Sequence, residues 1–167
     1  MATVIRGSDN FDTAFAKSVA LIADVKAYSV HGGTFTQDAW QTRDLNTELD
    51  DPESIVTITS NQFTLQAGTY LVEWSAPAFK VNRHFSRLQN ITDSTTEAEG
   101  TSAYTQSDDN SVSRSMGAGI ITLTSAKAFE IQHYGQITIS TNGFGVNSNL
   151  SGTNSVYTLV KIHKIGA

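Results

Sequence analysis

The chain has 167 residues, long enough for one well-filled hydrophobic core and short for two, so a single domain is expected. Hydrophobic residues make up 39% and charged residues only 16%; Ser, Thr, Asn, Gln and Gly dominate the remainder, a composition that suits strands with one wet face and the turns between them. A formal net charge of -5 supplies no basic field for nucleic acid or anionic membrane, and with no cysteine there is neither a disulfide framework nor a thiolate metal site.

The chain begins unlike the rest of itself. Gly7-Ser8-Asp9-Asn10-Phe11-Asp12-Thr13 is turn chemistry around one aromatic, and Ala14 to Ala23 is the only stretch with a weak helical character. Residues 1–22 therefore form an N-terminal arm in this reading, and residues 23–167 the folded domain. Such an arm either docks on another subunit, with Arg6, Asp9, Asn10, Phe11 and Asp12 as its anchoring residues, or lies along its own domain; the sequence leaves both open. Met1-Ala2-Thr3-Val4-Ile5-Arg6 lacks the basic-then-apolar plan of a signal peptide, and no apolar run approaches the roughly 20 residues of a membrane span, so synthesis in a cytoplasm is expected.

From Asp24 onward, strand-sized segments follow one another with no sustained helical period. The pattern predicts an all-β chain with strands near 25–31, 37–45, 54–59, 62–66, 69–79, 83–92, 101–105, 112–124, 127–134, 136–140 and 155–165. Gly32-Gly33, Asp50-Asp51-Pro52, Ala67-Gly68, the segment 93–100, Asp108-Asp109-Asn110 and Asn142-Gly143 supply the breaks. Alternation places Tyr70, Val72 and Trp74 on one face of their strand and Phe129, Ile131 and His133 on one face of theirs; with Phe63 these are the expected core. Ile137 and Ile139 repeat the alternation. Val156, Tyr157, Leu159, Val160 and Ile162 are apolar on both faces, which predicts a central last strand covered on both sides.

The order of these elements resembles the C1q/TNF-like jelly roll. Phe63-Thr64-Leu65-Gln66-Ala67-Gly68-Thr69-Tyr70-Leu71-Val72 looks like that family's F-x-x-x-x-x-G-x-Y-x-F segment. Gly117-Ala118-Gly119-Ile120-Ile121-Thr122-Leu123 followed by Phe129-Glu130-Ile131-Gln132 is similar to its paired G-x-x-x-L-x-L and V-x-L strands. Asn142-Gly143-Phe144-Gly145 and Val156 to Ile162 resemble its F-x-G-F-L-L terminus. The resemblance spans about residues 24–165 and implies an antiparallel β-sandwich that associates as a homotrimer. Neither a Gly-X-Y stalk nor a heptad shaft is present, which removes the animal secreted forms. Residues 6–13, 83–93 and 100–104 look instead like tail and capsid-surface proteins of bacteriophages. That likeness implies a virion surface subunit made in the host bacterial cytoplasm, with the major capsid protein or a tail protein as partner. Capsid decoration is the first expectation; a tail-fibre head that recognises a host surface glycan is the alternative.

No residues present the chemistry of a catalytic, cofactor or metal site. The sequence has no Gly-x-Ser-x-Gly elbow, His-Glu-x-x-His helix or phosphate loop, and its carboxylates are scattered. His31, His84, His133 and His163 lack metal-ligand spacing, and Asp50-Asp51 and Asp108-Asp109 fit solvated turns better than calcium loops. What remains for binding is polar and aromatic: Tyr104, Phe144, Asn147 and Asn149 in distal loops, with Tyr134 and Trp40 near loops as well.

Overall fold

The computed structural model describes residues 19–166, and among them there is no helix. Twelve strands form two antiparallel sheets: β1 Val19–Lys26, β2 Gln41–Thr42, β3 Thr47–Asp50, β4 Val56–Thr59, β5 Gln62–Leu65, β6 Gly68–Phe79, β7 Asn82–Asn90, β8 Thr95–Glu99, β9 Ala103–Thr105, β10 Val112–Leu123, β11 Lys127–Gly135 and β12 Ser155–Gly166. One sheet runs β10-β6-β12-β1-β3. The other runs β4-β5-β11-β7-β8, with β2 added on β11 and β9 on β7. The fold is the expected all-β sandwich of jelly-roll type.

The inner faces follow from period-two alternation. Along β6, Tyr70, Val72, Trp74, Ala76 and Ala78 are buried, while Leu71, Glu73 and Ser75 turn to the outer face. Phe63, Phe129 and Ile131 oppose them from the second sheet, the rings of Phe63 and Phe129 stacking at 5.6 Å between centroids across the β5–β11 pair. All six core residues expected from the sequence are thus in the core, together with Ile22, Leu45, Leu65, Leu88, Val160 and Ile162. A smaller second cluster of Phe35, Ala78, Val81 and Phe144 closes one end of the sandwich.

Several expectations are corrected. The weakly helical stretch ends in a strand: Val19-Ala20-Leu21-Ile22-Ala23 lies in β1 between β12 and β3, where burial of Ala20, Ile22 and Ala23 makes the run continuously apolar and masks its period. Residues 19–22, assigned above to the arm, therefore begin the sandwich, and the strand expected at 25–31 ends at Lys26. The proposed strand at 136–140 is a loop with one isolated bridge, between Ile139 and Phe35, both outside the twelve strands. Segment 93–100, expected as a break, contains β8, whose Thr-Thr-Glu-Ala-Glu sequence hides a sheet-edge strand behind polar side chains. Finally, β12 is central, between β6 and β1, but only one face is covered: Val156, Lys161 and Ile165 are exposed.

Candidate functional site

The outer face of the seven-stranded sheet carries the most concentrated aromatic surface. Strand alternation sends Phe85 and Arg87 of β7 outward, and the register sets Phe85 opposite Tyr134, Arg87 opposite Gln132, and Arg83 opposite Tyr104. Residues directly opposite in an antiparallel pair share a face. Trp40, on the approach to β2, folds over this surface with its ring edge-on to Phe85 at 5.0 Å and to Tyr134 at 5.5 Å. The Arg87 guanidinium lies 3.9 Å from the centre of the Trp40 ring and donates to Gln132 Oε1 and Thr96 Oγ1, clamping the indole in place.

Beside this cluster, between β9 and the end of β11, is an open cleft of about 790 Å³. Phe85, Tyr104 and Tyr134 give it ring surfaces, and Arg83, Ser102 and Gln136 give it polar groups. Tyr104 is 55% exposed. A cleft of this size with a few convergent polar groups has the form of a small-ligand site.

The outer face of the five-stranded sheet differs. Strand β10 is its edge, and Val112, Arg114, Met116, Ala118, Ile120 and Thr122 all point outward from it. Ile120 is 69% and Met116 54% exposed. Behind them the register aligns Leu71 with Ile120, and Ser75 and Leu159 with Met116. Between these rows sits a polar centre, where Lys161 Nζ and His163 Nε2 approach Glu73 Oε2 at 3.6 and 3.9 Å. A long edge strand bearing large apolar side chains is an association surface by default.

The interior holds polar groups that position these faces. Arg43 is fully buried; it donates to Thr158 Oγ1, Pro77 O and Phe144 O and stacks 3.9 Å over the Phe144 ring. Burial draws its pKa down to about 9, which leaves it charged at neutral pH. Trp74 Nε1 donates to Ser86 Oγ at 2.7 Å, and Ser86 Oγ meets Ser115 Oγ at 2.8 Å, tying the two sheets together through the core. His84 Nδ1 and His133 Nε2 are 2.9 Å apart, and His84 Nε2 meets Ser113 Oγ at 2.8 Å. Burial, then the Arg43 charge, lowers His84 to about 4; the same causes in the same order, joined by His84 itself, hold His133 well below the ordinary imidazole value.

The expected binding residues separate. Tyr104 borders the cleft. Phe144 does not belong to an exposed loop: it is only 7% exposed, packed edge-on against Phe35 at 5.0 Å beneath the Arg43 guanidinium, because the turn at Asn142-Gly143 folds it inward. Asn147 is half-buried, its backbone N–H donating to His31 Nδ1, and Asn149 is exposed on the same loop; neither borders the cleft. Arg6, Asp9, Asn10, Phe11 and Asp12 lie outside the described residues. Phe85, Arg83 and Gln136 were missed as site residues. Their only sequence signal was the outward parity of β7, which becomes informative once β9 and β11 are known to flank it.

Among the described residues, no group of three His, Cys, Asp or Glu side chains comes together. Asp51 instead receives the backbone N–H groups of Ile55 and Val56 on its two carboxylate oxygens, a turn-forming role.

No family model matches the sequence, and no curated protein matches it. Solved structures do match. The globular domain of zebrafish complement 1qA protein aligns with 89% of this chain and 97% of its own at 14% identity, with a TM-score of 0.56. Murine APRIL at pH 5.0 aligns with 89% of this chain and 98% of its own at 12% identity and a TM-score of 0.57. These likenesses show the C1q/TNF-like jelly-roll fold.

Proposed function

We propose that the chain is a non-enzymatic structural subunit that associates with two further copies of itself and is displayed on the surface of a bacteriophage virion as a capsid decoration protein. The observation that carries the self-association is the β10 edge, where Met116, Ala118 and Ile120 stand exposed in one row with Leu71 and Leu159 behind them. Leaving such a row in water forgoes the burial free energy of two large apolar side chains per chain, on the order of 1.5 to 3 kcal/mol each. The number three comes from the C1q/TNF resemblance. The virion and its host-cytoplasm origin come from the likeness of residues 6–13, 83–93 and 100–104 to phage surface proteins.

In this reading the N-terminal arm holds the subunit to the major capsid protein or to a tail protein. Because β1 starts at Val19, the deletion that tests it stops at residue 18. The shortened chain is expected to remain a folded trimer and to lose binding to particles. A truncated chain that still decorates them removes the arm as anchor.

The tail-fibre reading, a head that recognises a host surface glycan, is favoured by one observation: the aromatic cleft beside Tyr104, which decoration alone does not require.

A further inference from the structure

We propose that the cleft between β9 and β11 binds an acidic saccharide, with the rings of Tyr104, Phe85 and Tyr134 as the stacking surface and Arg83 as the partner of the sugar carboxylate. The proposal gives ligand chemistry to the glycan-recognising reading, on which it rests, and is independent of self-association.

The walls decide the ligand class. Among the residues that border the cleft, the apolar surface comes almost wholly from rings; Ala103 is the one aliphatic side chain. Flat rings suit the C–H face of a pyranose; a proline-rich peptide also docks on rings, but its prolines offer no carboxylate to Arg83. Two of the three rings, Phe85 and Tyr134, are also held before any ligand arrives. Trp40 packs edge-on against Phe85 and Tyr134, Arg87 fixes Trp40, and Tyr134 OH donates to Asp38 Oδ1 at 3.4 Å. A fixed platform loses little side-chain entropy on binding.

The polar groups decide the charge. Of the four described arginines, three are engaged: Arg43 by Thr158, Pro77 and Phe144, Arg87 by Gln132 and Thr96, and Arg114 by Ser75 and Tyr157. The guanidinium of Arg83 has no hydrogen-bond or ion-pair partner among the described residues, and the residue is exposed at the cleft. Among the described residues no carboxylate borders the cleft; the Asp38 carboxylate reaches it only through Tyr134 OH. An unpaired fork of donors next to ring faces in an otherwise acid-free site fits a carboxylate through two parallel bonds. Tyr104 OH, Ser102 Oγ and Gln136 Nε2 likewise have no hydrogen-bond partner among the described residues, and provide donors and acceptors for sugar hydroxyls. Gln136 Oε1 is taken by the Arg83 backbone N–H at 3.3 Å, which keeps the amide beside the arginine.

The test is retention of the intact chain on an array holding neutral glycans, uronate- and sialate-bearing glycans, and methyl esters of the latter. Acid-bearing glycans are expected to be retained, and their esters about tenfold less, the ordinary worth of a charge-assisted bond. Arg83→Gln is expected to bring the acids down to the level of the esters while leaving the esters unchanged. Tyr104→Ala is expected to weaken both; its exposure makes misfolding an unattractive explanation, and near-ultraviolet circular dichroism checks it. Retention of neutral glycans alone, or acid binding indifferent to Arg83→Gln, overturns the acidic assignment and leaves a glycan-binding head standing. An array on which nothing is retained by folded protein overturns both.

Discussion

Replacing Gly117 with alanine puts one methyl group where the Trp74 indole lies. Gly117 and Trp74 are register partners across β10 and β6, and both face inward. A Cβ at 117 would stand 2.0 Å from Trp74 Cζ2, 2.4 Å from Cη2 and 2.5 Å from Cε2. Carbon atoms need about 3.5 Å or more, so the ring must retreat by over ~1 Å. It has little room: the residue is 4% exposed, and its Nε1 is held by Ser86 Oγ at 2.7 Å. Overpacking costs about 1 to 3 kcal/mol, and a buried indole N–H pulled from its acceptor costs about 1 to 3 more. About 4 kcal/mol is expected, a fall of about 8 to 16 °C in melting temperature for a domain of this size. Calorimetry on parent and variant measures it. In a Trp74→Phe background, which deletes the clashing six-membered ring, the same alanine should cost about 1 to 2 kcal/mol less. A Gly117→Ala melt within about 2 °C of the parent would refute the account of this contact.

Tyr70→Ala empties an aromatic core site and should cost about 3 to 5 kcal/mol, read from chemical denaturation; an unchanged midpoint would mean that the core face of β6 is inverted. Acid should weaken the fold through the buried histidine pair. His84 titrates near 4 in the fold against 6.5 when unfolded, so between these values the unfolded chain binds the extra proton. Stability is therefore full above about pH 6.5 and falls as pH drops toward 4, by at most about 3 kcal/mol from this residue. Urea midpoints at pH 7.5 and 5 test it, and a His84→Asn variant with the same pH slope as the parent would contradict it. Arg43→Ala strips donors from Pro77 O, Phe144 O and Thr158 Oγ1 and removes the cation over Phe144, for an expected loss of about 3 kcal/mol in the same assay; a loss under about 1 kcal/mol would show that water replaces it.

The sheets were legible wherever one face is buried and the other wet. Tyr70-Val72-Trp74 and Phe129-Ile131-His133 alternate cleanly and lie where alternation puts them. Legibility failed at both extremes of burial: β1 is apolar from Val19 to Ala23 because two strands and the opposite sheet cover it, and β8 is polar but for Ala98 because it is an edge. Gln136-Ile137-Thr138-Ile139 alternates without a strand partner, pairing by an isolated bridge from Ile139 to Phe35 and by hydrogen bonds at Gln136 and Thr138. Of the candidate binding surface, Tyr104, Tyr134 and Trp40 were visible as aromatics near loops. Their convergence with Phe85 and Arg83 was not, because residues 40, 83, 85, 104 and 134 meet only through long-range register. Phe144 was misplaced because a loop aromatic beside Asn-Gly looks exposed until Arg43, a hundred residues earlier, is seen to lie on it.

Light scattering on the purified chain at neutral pH, alongside an Ile120→Asp variant, tests self-association through β10 most directly. The expected result is a mass three times that of one chain for the parent, falling to that of one chain when a carboxylate is placed in the apolar row. A parent that is a stable monomer, or a trimer that Ile120→Asp leaves intact, would contradict it.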